Sequence, residues 1–333
     1  MKQFNTKILG TGSYLPDKVI TNDDLSKRID TSHQWIVERT GIHQRRVADL
    51  SKDESPSGMA KRAAEKAIEA ANLTPNDIDL ILLSATLPDQ TMPNTASVLQ
   101  EKLGISNNCP ALDVNAACSG WIYLVPMADA MIKTGLYKHI LVIGSEMLSA
   151  FNNWDDRNTC ILFGDGCGAA VLGRASENED SKIYSSVLTC DSTKKDHLTL
   201  LAGGACKRIT KEVIDNNEQW MTMNGQEIFK AAVKTMAAHA EKVVKDADLT
   251  MNQIDWFIPH QANLRIIEAV GTRFNIPLEK VIINVDKYAN TSSASVPVAM
   301  DEAIRAGKIK RGDNILLAAF GAGLTAGAVC LKY

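Results

Sequence analysis

Short apolar runs alternate with alanine-rich amphipathic segments along most of this chain. Runs such as Leu80–Leu83 and Trp256–Ile258 have the length and composition of buried strands. The segments 58–71 and 224–245, which precede these runs, show the spacing of apolar positions that amphipathic helices require. Strands that alternate with helices in this way predict a layered α/β fold.

The same pattern occurs twice. The segments ANLTPNDID (71–79) and ADLTMNQID (247–255) are identical at six of nine positions, and 176 residues separate them. KHILVIGSE, which begins at Lys138, and DNILLAAFG, which begins at Asp313, form a second pair at an offset of 175. Two matches at nearly the same offset indicate a duplicated architecture. We therefore expect two similar halves, residues 1–173 and 174–333, that pack into one compact unit with sheets between helical layers.

The segment VNAACSGW (114–121) places Cys118 among small residues, between a strand-like run and a helix-like segment. A helix N-terminus favours the thiolate form of a cysteine, and small neighbours leave room for a substrate to reach the sulfur. The alternative interpretation is a buried structural thiol, which is the usual role of a free cysteine. The seven cysteines of the chain follow neither a disulfide framework nor a zinc-ligand spacing, so we predict no metal site.

Two polar residues of the second half occupy comparable positions. His260 follows the strand-like run 256–258, and Asn290 follows the run 281–285. Each has a structural alternative, as a hydrogen-bonded core histidine or as the N-cap of the next helix. Because equivalent loops of a duplicated fold converge on one cleft, we expect Cys118, His260 and Asn290 to meet there. Together they would supply a nucleophile and two groups that stabilise a developing anion.

Two glycine-rich segments suggest different roles. AAFGAGLTAGA (318–328) follows an apolar run, and a backbone amide in it could form an oxyanion hole with the amide of Cys118. A simple turn between two strands is the alternative. FGDGCGAA (163–170) has neither of the spacings typical of phosphate-binding loops, so nucleotide binding there has little support.

Composition excludes several classes of function. The formal net charge of the 333 residues is -3 at pH 7, whereas nucleic-acid binding usually requires a basic domain. No apolar stretch has the length of a membrane span, and the N-terminus lacks the features of a signal peptide. We therefore expect a cytoplasmic enzyme that binds neither nucleic acid nor membranes.

Eight segments spread over nearly the whole chain carry a family resemblance. They are ILGTGSYLPDKVITNDDL (8–25), DTSHQWIVERTGI (30–42), DVNAACSG (113–120), FGDGCGAAVL (163–172), MNGQEIFKAAV (223–233), PHQANLRI (259–266), NTSSAS (290–295) and FGAGLTAG (320–327). In these segments the chain resembles the β-ketoacyl-acyl-carrier-protein synthase III family of the thiolase superfamily. The resemblance implies a thiolase-like αβαβα layered fold, with mixed sheets in two pseudo-symmetric halves, and an acyltransferase that initiates fatty acid synthesis.

The resemblance also implies a mechanism. Cys118 would take the acyl group of an acyl-CoA, and malonyl-acyl-carrier protein would then enter and lose its carboxylate as CO2. His260 and Asn290 would stabilise the resulting thioester enolate by hydrogen bonding. The backbone amides of Cys118 and Ala322 would hold the tetrahedral oxyanion. No metal or redox cofactor would be needed, because decarboxylation drives the condensation.

The family's binding residues map onto this chain as further expectations, together with a homodimeric assembly. The CoA contacts would be Thr31, Trp35, Arg39, Arg157, Gly225, Phe229, Ala262 and Asn263; the acyl pocket would contain Met92, Trp121 and Phe163; and the carrier protein would meet Arg265 and Lys230. Solvated surface charge is the alternative for those last two cations. Trp121 and Met92 depart from the family's usual residues, which leaves the starter acyl chain open.

Three other functions are compatible with parts of this pattern. A related acyltransferase with a different starter or acceptor would keep the same acyl-enzyme, because specificity depends on the pocket. A cysteine hydrolase also places its histidine well downstream of the nucleophile, although the internal repeat has no place in that fold. A catalytically silent subunit would have no need of the cysteine, histidine and asparagine.

Overall fold

The computed structural model describes residues 4–333. Its strands are β1 Thr6–Tyr14, β2 Val19–Thr21, β3 Gln44–Arg46, β4 Leu80–Ser84, β5 Ala111–Asp113, β6 His139–Glu146, β7 Gly166–Arg174, β8 Lys182–Cys190, β9 Leu198–Thr199, β10 Thr222–Met223, β11 Trp256–Pro259, β12 Asn314–Gly321 and β13 Thr325–Lys332. Its α-helices are α1 Asn22–Ser26, α2 His33–Thr40, α3 Pro56–Ala70, α4 Thr95–Lys102, α5 Gly120–Lys133, α6 Lys211–Asp215, α7 Gly225–Asp246, α8 Leu264–Arg273, α9 Val285–Tyr288 and α10 Ser295–Arg305. Among these residues no helix is both long and apolar enough to cross a membrane.

Two mixed sheets form the centre of the molecule, and their strand orders match. The first sheet has the order β1-β7-β6-β4-β5, and the second has the order β8-β13-β12-β11. In the first sheet β4 runs parallel to β6 and to β5, and in the second sheet β11 runs parallel to β12, which matches the β4–β6 pair. The edge strands β1 and β8 run antiparallel to their neighbours. A bridge between Phe257 and Val281 takes the place that β5 has in the first sheet. The structure thus confirms the duplication that the repeated segments predict.

Five layers follow from the packing of helices on these sheets. Helix α3 covers the outer face of the first sheet, α5 and α10 lie between the sheets, and α7 covers the outer face of the second. The first four residues of β4 are all apolar because both faces of the strand are covered: Leu80 and Leu82 face the layer between the sheets, while Ile81 and Leu83 face α3. The predicted αβαβα arrangement is therefore confirmed.

A short 3₁₀ turn precedes each of the two central helices. In the first half the side-chain oxygen of Asn115 accepts a hydrogen bond from the backbone N–H of Ala117, at 3.0 Å. In the second half Asn290 accepts one from Ser292 in the same way, at 2.8 Å. Ala117 and Ser292 both adopt positive φ, at 47° and 50°, which small residues tolerate best. The two turns therefore have the same backbone conformation and the same side-chain hydrogen bond, once in each half.

The two turns can be aligned residue by residue. With the offset of 175 residues, Asn290 corresponds to Asn115, and Cys118 corresponds to Ser293. The prediction that Cys118 and Asn290 lie on equivalent loops agrees with this arrangement, but the two residues occupy different positions of the turn. The duplicated fold therefore brings two different functional groups to one place.

Candidate active site

A cavity of about 350 Å³ extends from the protein surface to the two repeated turns. Its buried end is lined by residues that include Cys118, His260, Asn290, Phe320 and Gly321. Its outer part is lined by Trp35, Arg39 and Arg265. The structure thus brings together the thiol, imidazole and amide that the sequence predicts, in a volume within the range of small-molecule sites.

Cys118 lies in the 3₁₀ turn 117–119, directly before the first residue of α5. The residue is partly exposed, and that exposure is to the cavity. Burial of the thiol raises its pKa to about 12, while the N-terminus of α5 acts in the opposite direction by favouring the thiolate. The thiol therefore needs a group that removes its proton as it reacts.

The end of β12 packs directly against the 3₁₀ turn 117–119, which carries Cys118. A Cβ atom at Gly321 would lie 2.7 Å from the backbone nitrogen of Cys118, so only glycine permits this approach. The hydroxyl of Thr325 donates toward the carbonyl oxygens of Ala116 and Ala322, at 2.8 and 3.0 Å. Gly321 and Cys118 both line the cavity, so the backbone that leads from Gly321 to Ala322 begins beside the amide of Cys118. This is the arrangement expected of two amides that share an oxyanion.

His260 is held in one orientation at the end of β11. Its backbone N–H donates to the carbonyl of Ala318 at 2.8 Å, and its Nδ1 lies 2.6 Å from the hydroxyl oxygen of Ser295. That oxygen also accepts a hydrogen bond from the N–H of Gln261 at 3.3 Å, which favours donation of the serine hydrogen to Nδ1. Burial lowers the pKa of His260 to about 3. The imidazole is therefore neutral near pH 7, with the hydrogen on Nε2 free to donate.

Asn290 is buried, and its side chain holds the turn that follows it. Its Oδ1 accepts the hydrogen bond from the N–H of Ser292 that forms the turn. Its backbone N–H donates to the carbonyl of Leu162 at 2.9 Å. Because Oδ1 is occupied by the turn, the Nδ2 hydrogens are the part of the side chain left for the cavity. The amide that caps the turn is thus also a fixed donor.

The indole of Trp35 lies at the mouth of the cavity beneath two cations. The guanidinium carbons of Arg39 and Arg157 lie 4.1 and 4.8 Å from the ring centroid. Arg157 also donates to the backbone carbonyl of Asp30 at 3.0 Å. Arg157 and Thr31, which the sequence also suggests for this role, do not line the cavity, although Arg157 contacts the lining residue Trp35. A flat ring with adjacent cations suits a nucleobase that carries phosphates.

The passage between mouth and thiol is lined by all four residues that the sequence suggests for it, Gly225, Phe229, Ala262 and Asn263. The side chain of Asn263 caps α8 through the N–H of Arg265 and donates to the carbonyl of Arg39 at 3.1 Å. The cavity wall also contains several residues that the sequence does not suggest, among them Ile228, Ala232 and Met236 of α7. Their spacing of four residues on one helix face is the signal that could have identified them.

Two of the three residues predicted for the acyl pocket do not line this cavity. Phe163 does line it. Trp121 instead lies in the core between the two sheets, where its indole N–H donates to the carbonyl of Val142 at 3.4 Å. Met92 is 84% exposed on the surface. The prediction for Trp121 is corrected because α5 is apolar toward both sheets, and position 121 faces the core.

The two predicted carrier-protein contacts lie on the surface at different distances from the cavity. Arg265 is at the mouth, with its guanidinium carbon 5.9 Å from the ring centroid of Phe229. Lys230 lies outside the cavity wall and forms an ion pair with Glu227 at 2.9 Å. An exposed pair of this kind contributes little to stability.

Comparison with known proteins identifies the family. The sequence model described as "3-Oxoacyl-[acyl-carrier-protein (ACP)] synthase III" matches residues 112–192, and the model of its C-terminal part matches residues 244–333. A β-ketoacyl-[acyl-carrier-protein] synthase III of Caldanaerobacter subterraneus is 48% identical over 98% of this chain and 97% of its own length. The chain belongs to the β-ketoacyl-acyl-carrier-protein synthase III family. It is therefore an acyltransferase of fatty acid biosynthesis.

Solved structures agree with this family assignment. The crystal structure of 3-oxoacyl-[acyl-carrier-protein] synthase III from Aquifex aeolicus is 44% identical and superimposes with a TM-score of 0.90, over 98% of this chain and 100% of the other. The priming β-ketosynthase of the R1128 polyketide pathway is 31% identical with a TM-score of 0.90, over 99% and 97% of the two chains. These likenesses confirm the thiolase-like fold of this synthase III family member.

Proposed function

We propose that this chain joins the acyl group of an acyl-CoA to malonyl-acyl-carrier protein, with loss of CO2, through an acyl-enzyme on Cys118. The observation that carries the proposal is one cavity that contains a thiol, a neutral imidazole and a fixed amide donor. In the first step the sulfur attacks the thioester carbonyl, while the amides of Cys118 and Ala322 stabilise the oxyanion. CoA then leaves.

In the second step, malonyl-acyl-carrier protein occupies the same passage and loses CO2. The Nε2–H of His260 and the Nδ2–H of Asn290 donate to the thioester oxygen, on which the enolate charge develops. The enolate carbon attacks the acyl group on Cys118, and the thiolate leaves. We infer that the reaction requires no metal or redox cofactor, because residues of this chain stabilise both the oxyanion and the enolate.

Recognition of the two substrates uses the mouth of the cavity. Trp35 with Arg39 and Arg157 would hold the adenine and phosphates of CoA, with Thr31 beside them, and the wall residues of α7 and α8 would contact its pantetheine arm. Arg265 at the rim, with Lys230 nearby on the same surface, supplies positive charge for an acidic carrier protein.

We further propose a homodimer, based on the free edge of the first sheet. Strand β5 pairs with β4 on one side, and its Leu112 is 46% exposed. Asn94 ties the loop that carries Met92 to β5 by donating to the carbonyl of Ala111 at 3.0 Å. An uncovered apolar edge strand is a liability, which a second copy of β5 would remove. Met92 would then face the partner's acyl pocket.

The dimer is tested by sedimentation velocity. We expect the protein to sediment as a dimer and Leu112→Asp to shift it toward monomer, because the charge would be buried against the partner strand. The matched control is Leu278→Asp, since Leu278 is a similarly exposed leucine of the second half. Equal effects of the two substitutions, or a monomeric parent protein, would contradict the proposal.

The proposed reaction is tested with a panel of acyl-CoAs of different chain length and branching, each supplied with malonyl-acyl-carrier protein. We expect a β-ketoacyl product and CO2, with starters beyond acetyl accepted, because the flexible Met92 would face the partner's acyl pocket in the proposed dimer. The same acyl groups on pantetheine should react with a higher KM, because they lack the nucleotide. Free acid without a malonyl requirement would indicate a hydrolase. A product formed only with another acceptor would indicate a related acyltransferase.

We expect the enzyme to act in the cytoplasm, where both substrates occur.

A further inference from the structure

Proton removal from Cys118 is the step that the residues named so far do not explain. A cysteine attacks a thioester as the thiolate, yet burial raises the pKa of Cys118 to about 12. His260 is a poor acceptor for that proton, because burial lowers its pKa to about 3 and Ser295 occupies its Nδ1. The thiol proton therefore has no suitable acceptor among the residues named so far.

Glu146, the last residue of β6, is a fully buried carboxylate beside the catalytic turns. It accepts hydrogen bonds from the N–H and the hydroxyl of Thr86, at 3.0 and 3.2 Å. It also accepts from the hydroxyls of Ser292 and Ser293, at 3.1 and 2.6 Å. These donors are all neutral, and burial raises the pKa of Glu146 to about 7. The carboxylate is thus ionised or protonated with similar ease at physiological pH.

The hydroxyl of Ser292 lies between this carboxylate and the thiol. It donates to Glu146 at 3.1 Å, and the Cys118 side chain is its second hydrogen-bonding partner. The hydrogen bond from the Ser292 N–H to Asn290 and the positive φ of Ser292 fix its position in the turn. A hydroxyl can accept one proton while it donates another. The geometry therefore forms a chain from Cys118 through Ser292 to Glu146.

Charge favours transfer along this chain over independent ionisation of both ends. The negative charge of Glu146 raises the pKa of Cys118, so the two groups oppose each other when both are ionised. Cys167 also interacts with this charge, but burial raises its own pKa to about 12. The nearby carboxylate of Asp165 is engaged by Ala48 and Ser149. A single negative charge that moves from Glu146 to Cys118 avoids the repulsion.

We propose that Glu146 accepts the thiol proton of Cys118 through the hydroxyl of Ser292; this step rests on the acyl-enzyme mechanism proposed above. As sulfur bonds to the thioester carbon, its proton moves to Ser292 Oγ, and the proton of Ser292 moves to Glu146. The bond from carbon to the CoA sulfur then breaks, and the CoA thiolate takes a proton from water.

The proton on Glu146 is returned at the end of the cycle. After the enolate carbon has bonded to the acyl group, the bond from that carbon to the Cys118 sulfur breaks. The thiolate takes a proton from Ser292, and Ser292 takes one from Glu146. Cys118, Ser292 and Glu146 thus return to their starting protonation states. The full reaction consumes one proton from water, as its stoichiometry requires. The acyl-enzyme is thus the state in which Glu146 is protonated.

Two neighbouring serines provide a matched test. Ser292 and Ser293 both donate to Glu146, but Ser292 is the one that also contacts the thiol. At pH 7 we expect Ser292→Ala to slow single-turnover acylation by about 100-fold or more, the usual contribution of a positioned proton acceptor. Ser293→Ala removes a hydrogen bond that lowers the pKa of Glu146, so we expect slower acylation at pH 7 that returns close to the parent rate at higher pH, whereas Ser292→Ala should stay slow. Equal losses in both variants would show that Glu146 only braces the turn, and would overturn the proposal.

The pH profile and an infrared measurement test Glu146 itself. Acylation by the parent enzyme should decline as pH falls through about 7, because the carboxylate becomes protonated and cannot accept. The Glu146→Gln protein should be acylated slowly, and its acylation rate should not decline as pH falls through this range. If removal of the charge instead left the thiol as reactive or more reactive, the proposal would be wrong. The carboxylic-acid band of a protonated Glu146 should appear on acylation and be absent in the variant.

The same comparisons can be made without any acyl-CoA. Iodoacetamide alkylates the Cys118 thiolate, so its rate reports proton removal whatever the natural substrate is. We expect the Ser292→Ala protein to be alkylated more slowly than the Ser293→Ala protein and the parent. A parent enzyme that forms no adduct with acyl-CoA would overturn the proposed function, whereas identical alkylation rates in the two serine variants would overturn the proton-transfer chain.

Discussion

Replacement of Cys118 by alanine removes covalent acylation completely and lowers condensation to the background rate. The variant has no nucleophile, so the acyl group has no attachment point within reach of the oxyanion-binding amides. We expect the fold to be unaffected, because the turn 115–119 is held by the side chain of Asn115 and by Thr325 rather than by the sulfur. Intact-protein mass spectrometry after exposure to acyl-CoA measures the adduct directly.

The control for this experiment is an exposed thiol elsewhere in the chain. Cys206 is exposed, so it is accessible to non-specific acylation by a reactive thioester. The Cys206→Ala protein should retain the full adduct and full condensation activity. A persistent single adduct in the Cys118→Ala protein, or its loss in the Cys206→Ala protein, would show that the acyl group is carried by another residue.

Substitution of Asn290 should cripple decarboxylation of malonyl-acyl-carrier protein by about 10²–10³-fold, the usual cost of removing one donor to a developing oxyanion. Two variants separate this role from the structural one. Asn290→Asp keeps the oxygen that accepts from Ser292 but replaces the donating amide, so we expect lost activity with near-parent stability. Asn290→Ala also removes the cap, at a cost of about 1 kcal/mol in unfolding free energy. Release of CO2 and thermal denaturation measure the two effects.

His260→Ala should reduce decarboxylation to a similar extent while acylation of Cys118 continues. Since burial lowers the pKa of His260 to about 3, its neutral form persists as pH falls through the physiological range, and the decarboxylation step should show no acid limb from this group. Two results would contradict the assignment of Asn290 and His260 to the decarboxylation step alone. One is decarboxylation by Asn290→Asp at the parent rate, and the other is an equal loss of acylation and decarboxylation in the His260→Ala protein.

The sequence predicts the layered fold well because its strongest signals are periodic and repeated. The runs 80–83 and 256–259 are apolar at every position because helices cover both faces of each strand, one layer on the outside of the sheet and one between the two sheets. The family-specific segments then locate the thiol, imidazole and amide. All three line the same cavity, as their positions on equivalent loops lead one to expect.

Side-chain direction within the central layer is what the sequence does not reveal. Helix α5 contacts sheets on two sides, so its apolar positions extend around it, and periodicity cannot tell which of them faces a cavity. The family resemblance places Trp121 in the acyl pocket, and the periodicity of α5 gives no signal against that placement. Glu146 escapes notice for another reason: it ends an apolar strand as an ordinary charged residue, and only the folded chain shows that Thr86 and two serines of the other half surround it.

The assembly of the site from both halves of the fold has a consequence for synthesis of the protein. Cys118 leaves the ribosome well before His260 and Asn290, and Gly321, which packs against its backbone, follows about 200 residues later. While the chain is being made, the thiol has neither an oxyanion site nor a partner for the enolate. A growing chain surrounded by acyl-CoA therefore carries an ordinary cysteine, and it acquires an enzyme's nucleophile only when its last two strands join the second sheet.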